Sequence, residues 1–356
     1  MSVTNVTRVQ GLVFGLGVHK QAAASTISSD FVRWRKLDMK VPFDLYHTEN
    51  DAHEIGKATE FATAVYNTSV EPSAMTIEKY GSAEFTTWAW AYGLGAMASG
   101  GTPASGNYII VPLDPGTNLE LPYFSVVSIL PSAGGDAVAL SQIGCGIESV
   151  ETTFHYGPGR ASVSTRAEYM GLGYNNGVTP YTTVPSLQAE NYMYASSLTM
   201  TLHPASGPDI NYISNKSILH GTMGWKNNFN AAMRYLPGSG FDAYGFQVGD
   251  RLLVGTRVPS LTFTVFLDAN STEYAALIAQ TTYQVTIKLN IDSTHNVQWV
   301  YTTANFNMVE TTQEDGFVAV TCTMDPLYGS TATATGGGLT NFITVTANCA
   351  LNNIAQ

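Results

Sequence analysis

Charged side chains are scarce in this 356-residue chain. Lys, Arg, Asp and Glu make up 12% of the residues, about half the ~25% that globular proteins usually carry. Because a charged surface normally keeps soluble monomers apart, the shortage predicts that other chains cover much of this surface. Composition leaves open an uncharged Ser/Thr/Asn surface, as in an extracellular β-protein. The ordinary apolar content of 44%, with 33 Gly and 15 Pro, excludes disordered and collagen-like classes.

Positive charge is scarcer still. The chain has 16 Lys and Arg against 27 Asp and Glu, which gives a net charge of −11. Because DNA binding relies on cations that neutralise phosphates, this balance argues against a tight DNA binder. Cysteine is also rare, since Cys145, Cys322 and Cys349 are an odd set. Cys145 and Cys322 lie in apolar, strand-like sequence, which predicts buried thiols and not a disulfide scaffold.

Long apolar runs are missing as well. No stretch approaches the ~20 residues that a membrane-spanning helix needs. The run 11–18 is too short and too rich in glycine for a signal peptide, and it lacks the usual cleavage site. The sequence therefore predicts a soluble protein with no membrane partner, made in a reducing cytoplasm.

Motifs that carry chemistry are also missing. The sequence contains no Gly-x-Ser-x-Gly elbow and no phosphate-binding loop, and Lys57 stands where a zinc-protease helix beginning at His53-Glu54 needs its second histidine. No Cys-x-x-Cys pair is present to hold zinc. We interpret the local cluster of His47, Asp51 and His53 as a solvated loop and not as a metal site. The sequence thus predicts a protein that is not an enzyme and has no catalytic, cofactor-binding or metal-binding residues.

The charges that are present form two groups near the N-terminal end. A basic group can contact phosphate or pair with acidic residues of a neighbouring subunit. The acidic stretch that follows is an exposed loop, a surface facing another subunit, or part of a negative channel. The basic group is Arg33, Arg35, Lys36 and Lys40, and the acidic stretch contains Asp44, Glu49, Asp51, Glu54 and Glu60.

An internal repeat is indicated by two β-rich runs that each lead into a short helical stripe. Ser82 and Ser271 suit helix N-caps, and Glu84 and Glu273 lie in the first turn, where the helix dipole favours an anion. Gly93 is the predicted C-cap of the first helix. The β-rich runs are 74–80 and 261–267, and the predicted helices are 82–92 and 271–280.

A second match follows each helix in the same order. Val150–Thr153 recurs as Val309–Thr312, and a glycine-started strand follows both copies. The two strands alternate in the same phase, so the repeat predicts two hairpins with the same inward face. The predicted inward positions are Ala161, Val163, Thr165 and Ala167 in one copy and Val318, Val320, Cys322 and Met324 in the other.

The repeat leads to a prediction of domain organisation. We predict a mostly β protein with two tandem β-sandwich or β-barrel domains, each carrying a short α-helix and long loops. Chance recurrence of β-alternation is the alternative. A weaker third match sets Leu37, Met39 and Val41 against Leu198, Met200 and Leu202. The predicted boundaries are an N-terminal arm at 1–24, a first domain at 25–180, and a second domain at 181–356 with an insertion near 203–249.

Several of these runs together resemble bacteriophage tail tube (major tail) proteins of the two-repeat type, over residues 25–349. The resemblance implies a non-enzymatic virion protein whose β domains join into rings that stack into a tube around a lumen for genome passage. The runs that carry it are His53–Phe61, Met75–Tyr80, Glu84–Ala89, Gly144–Val150, and Asn227-Asn228 with Gly255.

The partners implied by this resemblance are other copies of the chain, the tape measure protein, and the tail terminator and baseplate proteins. Duplicated members of the family form trimeric rings that imitate hexamers, and hexameric rings are the alternative. DNA is expected to pass through the lumen without specific binding. The implied location is the virion tail, after assembly in the host cytoplasm.

Two expectations separate this function from its rivals. A conduit lumen should be lined by Asp, Glu, Ser, Thr, Asn and Gly, because each unpaired cation would deepen a binding well for DNA. The basic group should then lie at a subunit contact or outside the lumen. A carbohydrate-binding or adhesive β-sandwich would instead expose aromatic platforms on one face, and a β-rich hydrolase would need a nucleophile–base pair that the sequence does not show.

Overall fold

The computed structural model is mostly β, as the alternating sequence predicts. Short 3-10 turns interrupt the described strands, for example at Pro103–Ser105 and Ala195–Ser197. The structure describes residues 13–23, 26–35, 37–39, 45–49, 66–70, 75–98, 100–114, 120–130, 138–157, 162–174, 184–212, 218–229, 251–267, 273–327, 334–335, 338–339 and 342–355.

The described residues of the N-terminal half contain the first helix, α1, among thirteen strands. In chain order these elements are β1 (Val13–Gly17), β2 (Phe31–Arg33), β3 (Asp38–Met39), β4 (Leu45–Glu49), β5 (Tyr66–Val70), β6 (Met75–Tyr80), α1 (Ala83–Leu94), β7 (Gly95–Met97), β8 (Asn107–Pro112), β9 (Phe124–Leu130), β10 (Val138–His155), β11 (Val163–Met170), β12 (Gly173–Tyr174) and β13 (Ser186–Leu187).

Among the described residues, the C-terminal half contains the second helix, α2, and ten strands. Its elements are β14 (Leu198–Pro204), β15 (Ile210–Asn211), β16 (Ile218–Lys226), β17 (Val258–Phe266), α2 (Glu273–Ala279), β18 (Thr282–Asn290), β19 (Asn296–Glu314), β20 (Phe317–Pro326), β21 (Ala334–Thr335), β22 (Gly338–Leu339) and β23 (Ile343–Asn348).

Seven of these strands form an antiparallel sheet in the order β6–β11–β10–β16–β17–β20–β19, which we call the main sheet. Its two longest strands, β10 and β19, extend beyond it. The first part of β10 pairs with β9 and β12, and the first part of β19 pairs with β18 and β23. Each long strand therefore connects the main sheet to a second group of strands that covers the core.

The predicted repeat appears in the strand order. In the N-terminal half β6 precedes α1 and pairs with β11, the return strand of the β10–β11 hairpin. In the C-terminal half β17 precedes α2 and pairs with β20, the return strand of the β19–β20 hairpin. Both hairpins also carry an irregularity at matching positions, between Ile147 and Ser149 and between Phe306 and Met308.

Both predicted hairpins form, and their inward faces are as predicted at six of the seven described positions. Val150 pairs with Ala167, and Val309 pairs with Cys322. Seven of the eight predicted inward residues lie among the described residues. Val163, Thr165, Ala167, Val320, Cys322 and Met324 are buried, and Val318 is exposed near the turn that ends its hairpin.

The first predicted helix forms at Ala83–Leu94, and its N-cap is as expected. The hydroxyl of Ser82 accepts a hydrogen bond from the backbone N–H of Phe85. The predicted C-cap at Gly93 is wrong, because Gly95 takes the left-handed conformation (φ 89°) that ends this helix. Gly93 is instead a buried helical residue, where a Cβ would come 2.9 Å from a Val150 methyl group.

The second predicted helix is shorter than expected, at Glu273–Ala279. Ser271, its predicted N-cap, lies outside the described residues. The third sequence match is wrong, because its strands have unlike neighbours. β3 pairs with β6, which precedes α1, whereas β14 pairs with β18, which follows α2.

The predicted insertion near 203–249 needs a correction. It contains β16, a strand that pairs with β10 on one side and with β17 on the other. This strand therefore belongs to the main sheet, where it joins the two halves of the chain. The halves also share one core, in which the rings of Trp90 and Trp299 meet edge to face at 5.9 Å. The division into two domains stays a prediction.

Candidate functional site

The main sheet has one apolar face and one polar face. On the apolar face Ile77, Ala167, Val150, Trp225 and Leu261 are buried. All 12 residues of α1 are buried in the same core. A helix surrounded on every side needs no polar stripe, and its four aromatic residues pack against strands of both halves. The polar face is left for contact with water or another molecule.

Hydroxyl groups cross the polar face in a continuous row. Residues paired in a β ladder point to the same side of the sheet, so the pairings place five hydroxyl residues side by side on five strands. The hydroxyls of two of them, Thr153 and Ser164, lie 2.7 Å apart. The row consists of Ser164, Thr153, Thr222, Thr262 and Thr323.

Charged side chains occupy the rows on both sides of these hydroxyls, and carboxylates outnumber cations. Arg166 donates a 2.7 Å hydrogen bond to Glu168. Burial raises the pKa of Glu148, and the nearby ammonium group of Lys226 acts to lower it. Both cations on the polar face therefore have acidic neighbours. The carboxylates paired into these rows are Glu78, Glu151, Glu168, Glu310 and Glu314.

A shallow groove of about 300 Å³ crosses this face between β11 and β17. Glu151 lies in it beside Arg166, and Gly224 leaves its floor open. Partial burial raises the pKa of Glu151, against the lowering effect of Arg166. The groove is lined by both acidic and basic side chains. Positive charge is therefore not concentrated there in a way that would bind an anion.

The polar face is concave at one end. Glu314 on β19 lies 3.2 Å from His220 on β16, measured between carboxylate oxygen and Nε2. Two strands, β17 and β20, stand between them, and a flat sheet would separate β16 from β19 by about 14 Å. The hydroxyl of Tyr156 also contacts the Asp315 carboxylate at the hairpin turn. The sheet therefore curls toward its polar side.

One long edge of the main sheet has no strand beside it among the described residues. Residues 308–314 of β19 pair with β20 on one side, while β18 and β23 end at residues 305 and 301 of β19. The equivalent part of β10 is paired on both sides, by β11 and β16. Open edges of this kind are available for pairing with another chain.

A buried polar cluster holds the opposite edge of the main sheet in place. Lys79 on β6 and Glu190 form an ion pair in which both side chains are 1% exposed. Glu190 also accepts hydrogen bonds from Ser82, Tyr192 and the backbone N–H of Arg35, at 3.2, 3.2 and 3.1 Å. The cluster thus ties the start of α1 to the segment that leads into β3.

Aromatic rings surround the Lys79 ammonium group. Its nitrogen lies 5.7, 5.7 and 5.3 Å from the ring centres of Trp34, Phe85 and Tyr192. Burial lowers the pKa of Lys79 to about 7, although Glu84 acts to raise it. This enclosure indicates a structural cluster, because only 1% of the Lys79 side chain is exposed.

A second buried carboxylate, Glu84, joins distant segments at the start of α1. It accepts hydrogen bonds at 2.8 Å from both the backbone and the side-chain amide of Asn191, and one at 3.3 Å from the backbone N–H of Ala350. The sequence predicts only that Glu84 lies in the first turn of the helix, where the helix dipole favours an anion. Its bonds to segments 107 and 266 residues away had no local sequence signal.

The charged groups and the cysteines noted in the sequence lie at the following positions in the structure. Arg33 lies on β2 and Arg35 is exposed just after it, both away from the polar face, while Lys36 and Lys40 lie outside the described residues. Asp51 and His53 also lie outside them, as do the side chains of His47 and of the acidic stretch. Cys145, Cys322 and Cys349 are all buried, which confirms the buried thiols predicted for the first two.

Within the described part of the chain, no group of three or more His, Cys, Asp or Glu side chains is arranged to hold a metal ion. No described helix is long and apolar enough to cross a membrane. No family model matches this chain, and no curated protein matches it in sequence.

Proposed function

We propose that this chain is a structural tube protein, which assembles with copies of itself into rings that stack around a central conduit. The observation that carries the proposal is a sheet with a hydroxyl-rich polar face and an open edge. The face offers a lining, and the edge offers a way to continue the sheet into the next subunit. Closure of a ring by strand pairing removes the exposed edges that a single chain carries.

The charge of the polar face suits a conduit for DNA. A carboxylate and hydroxyl lining repels phosphate or leaves it solvated, so translocating DNA meets no repeated binding well. The two cations of the face, Arg166 and Lys226, have acidic neighbours. In this proposal the cargo passes through the lumen without specific binding, and the chain performs no catalysis.

The proposed setting is a phage tail, because several runs of the sequence resemble bacteriophage tail tube proteins. There the tube would contact the tape measure protein along its lumen and the terminator and baseplate proteins at its ends. The repeated strand order favours three chains per ring, because each chain would supply two equivalent units. Six chains per ring remain the alternative, and they would leave the tube function unchanged.

A carbohydrate-binding or adhesive β-sandwich is the rival proposal. Sugar-binding platforms usually rely on exposed aromatic rings, tryptophan above all. All five tryptophans of this chain are buried. The exposed aromatics among the described residues are dispersed over β6, α2 and the ends of the β10 and β20 strands. The described surface therefore gives this rival less support than the tube.

Negative-stain microscopy of the purified full-length protein tests the proposed function. We expect stacked rings or tubes with a stain-filled centre at high protein concentration, because the open edge and the low charge both favour self-association. Uniform small particles at every concentration, with binding to a glycan array, would instead support the adhesive protein. A monomer that neither assembles nor binds glycans would also contradict the tube.

A further inference from the structure

The seam between the two halves of the chain shows how one unit of the repeat receives the next. β16 pairs with β17 of its own half and also with residues 149–155 of β10 in the other half. Without β16 the main sheet would separate into a β6–β11–β10 part and a β17–β20–β19 part. This strand is therefore the connector of the two units.

The repeat assigns an equivalent of β16 in the N-terminal half. In one unit the cross-strand chain of paired residues runs Val309, Cys322, Phe263 and then Gly221 on β16. In the other unit it runs Val150, Ala167, Ile77 and then Met39 on β3. β3 thus occupies on β6 the place that β16 occupies on β17, and both are antiparallel to their neighbour.

The second partner of β3 is missing within the described chain. β16 contacts both β17 and β10, whereas β3 is paired with β6 alone. Conversely, β10 receives β16 along residues 149–155, while the matching residues 308–314 of β19 have an open side. Among the described residues, β3 therefore lacks a second neighbouring strand, and residues 308–314 of β19 lack one on their open side. Pairing β3 with this edge would supply both, as β16 does for β10 within the chain.

We propose that β3 of a second copy of this chain pairs antiparallel with residues 308–314 of β19, and that this seam joins neighbouring subunits of the ring. The inference rests on the proposed function, and it names the strands that make the contact. Because the two surfaces differ, the contact is head-to-tail, and repeating it closes a ring when the rotation allows.

Charge complementarity supports this choice of partner. The open edge of β19 and its turn carry Glu310, Glu314 and Asp315. The segment around β3 carries the basic group Arg33, Arg35, Lys36 and Lys40, with Asp38 as its one acidic residue. Attraction between the acidic edge and this mostly basic segment would therefore steer two chains into this orientation, against the local repulsion of the one acidic pair, Glu314 and Asp38. The seam would also place the basic group at a subunit contact, as the sequence led us to expect.

The internal seam also fixes the register. His155 of β10 is paired with His220 of β16, and the equivalent pair across the proposed seam is Glu314 with Asp38 of the next copy. Substituting both carboxylates with cysteine, as E314C/D38C, removes their repulsion and places two thiols opposite each other. Cα atoms of directly opposed residues lie about 4.5–5.5 Å apart, within the range for a disulfide.

Oxidative crosslinking of E314C/D38C tests the seam, with assembly followed by microscopy of the same samples. We expect a ladder of disulfide-linked chains that ends at the ring number, with at least a tenfold higher yield than D38C/D292C. Asp292 is exposed in the turn before β19, far along the strand from Glu314, so it serves as the matched control. The native cysteines are buried and contribute no ladder of their own.

The remaining outcomes separate the seam from the tube. Rings or tubes without the E314C/D38C ladder would overturn the seam and leave the proposed function intact. Equal crosslinking of the control pair would also overturn it. If wild-type protein forms no rings under any condition, the proposed function fails and the seam fails with it.

Discussion

Replacing Lys79 with alanine should lower the free energy of unfolding by about 3–5 kcal/mol, the usual cost of removing one partner from a buried ion pair. The Glu190 carboxylate would remain 1% exposed without its cation, and the aromatic rings around Lys79 would enclose a void. Chemical denaturation followed by tryptophan fluorescence measures the change, because Trp34 lies beside the amine.

The double variant K79M/E190Q is the control for this prediction. It removes both charges and keeps the volume, and it should recover most of the lost stability, since uncharged replacements of buried pairs are often close to neutral. A free energy of unfolding for K79A within about 1 kcal/mol of the wild-type value would contradict this prediction. It would show that the ion pair is solvated and that the cluster does not hold the β3 segment.

Replacing Gln313 with proline should weaken tube assembly without unfolding the subunit. Asp315 and Gly316 have φ angles of 49° and 84°, which is the mark of a type I′ hairpin turn. Glu314 and Phe317 flank it as a hydrogen-bonded pair, so the N–H of Gln313 points away from β20 and toward the open edge. Proline removes that N–H and is tolerated on edge strands.

We expect Q313P to raise the protein concentration needed for assembly at least tenfold, because loss of about 1.4 kcal/mol per contact has that effect and every contact in the tube repeats it. Sedimentation of assembled protein measures the threshold. Q313A retains the N–H and should assemble like the wild type. Normal assembly of a folded Q313P protein would contradict strand pairing at this edge.

The local features of the fold could be predicted from the sequence. Alternating residues gave the hairpins and their inward faces, and Ser82 gave the start of α1, because these signals depend on neighbours within a few residues. The end of the same helix was misplaced by two residues, since Gly93 and Gly95 both suit a C-cap. Packing against Val150 decides between them, and that contact is remote in sequence.

The features that matter most for the site could not be predicted in this way. Lys79 and Glu190 are 111 residues apart, and no local pattern marks either as half of a buried pair. The sequence places β16 inside a predicted insertion, because the segment around it is rich in glycine. Its role depends on pairing with two distant strands, and so does the open edge of β19.

The central claim is that the polar face of the main sheet lines the lumen of a closed ring. A cryo-electron microscopy reconstruction of the assembled protein tests it most directly, because it shows which side of each β-sheet faces the axis. The account predicts that the hydroxyl row, with Thr153 and Thr222 at its centre, faces the lumen, with the basic group between subunits. A tube with this face on its outer surface, or a lumen lined by Arg33 and Arg35, would contradict the account.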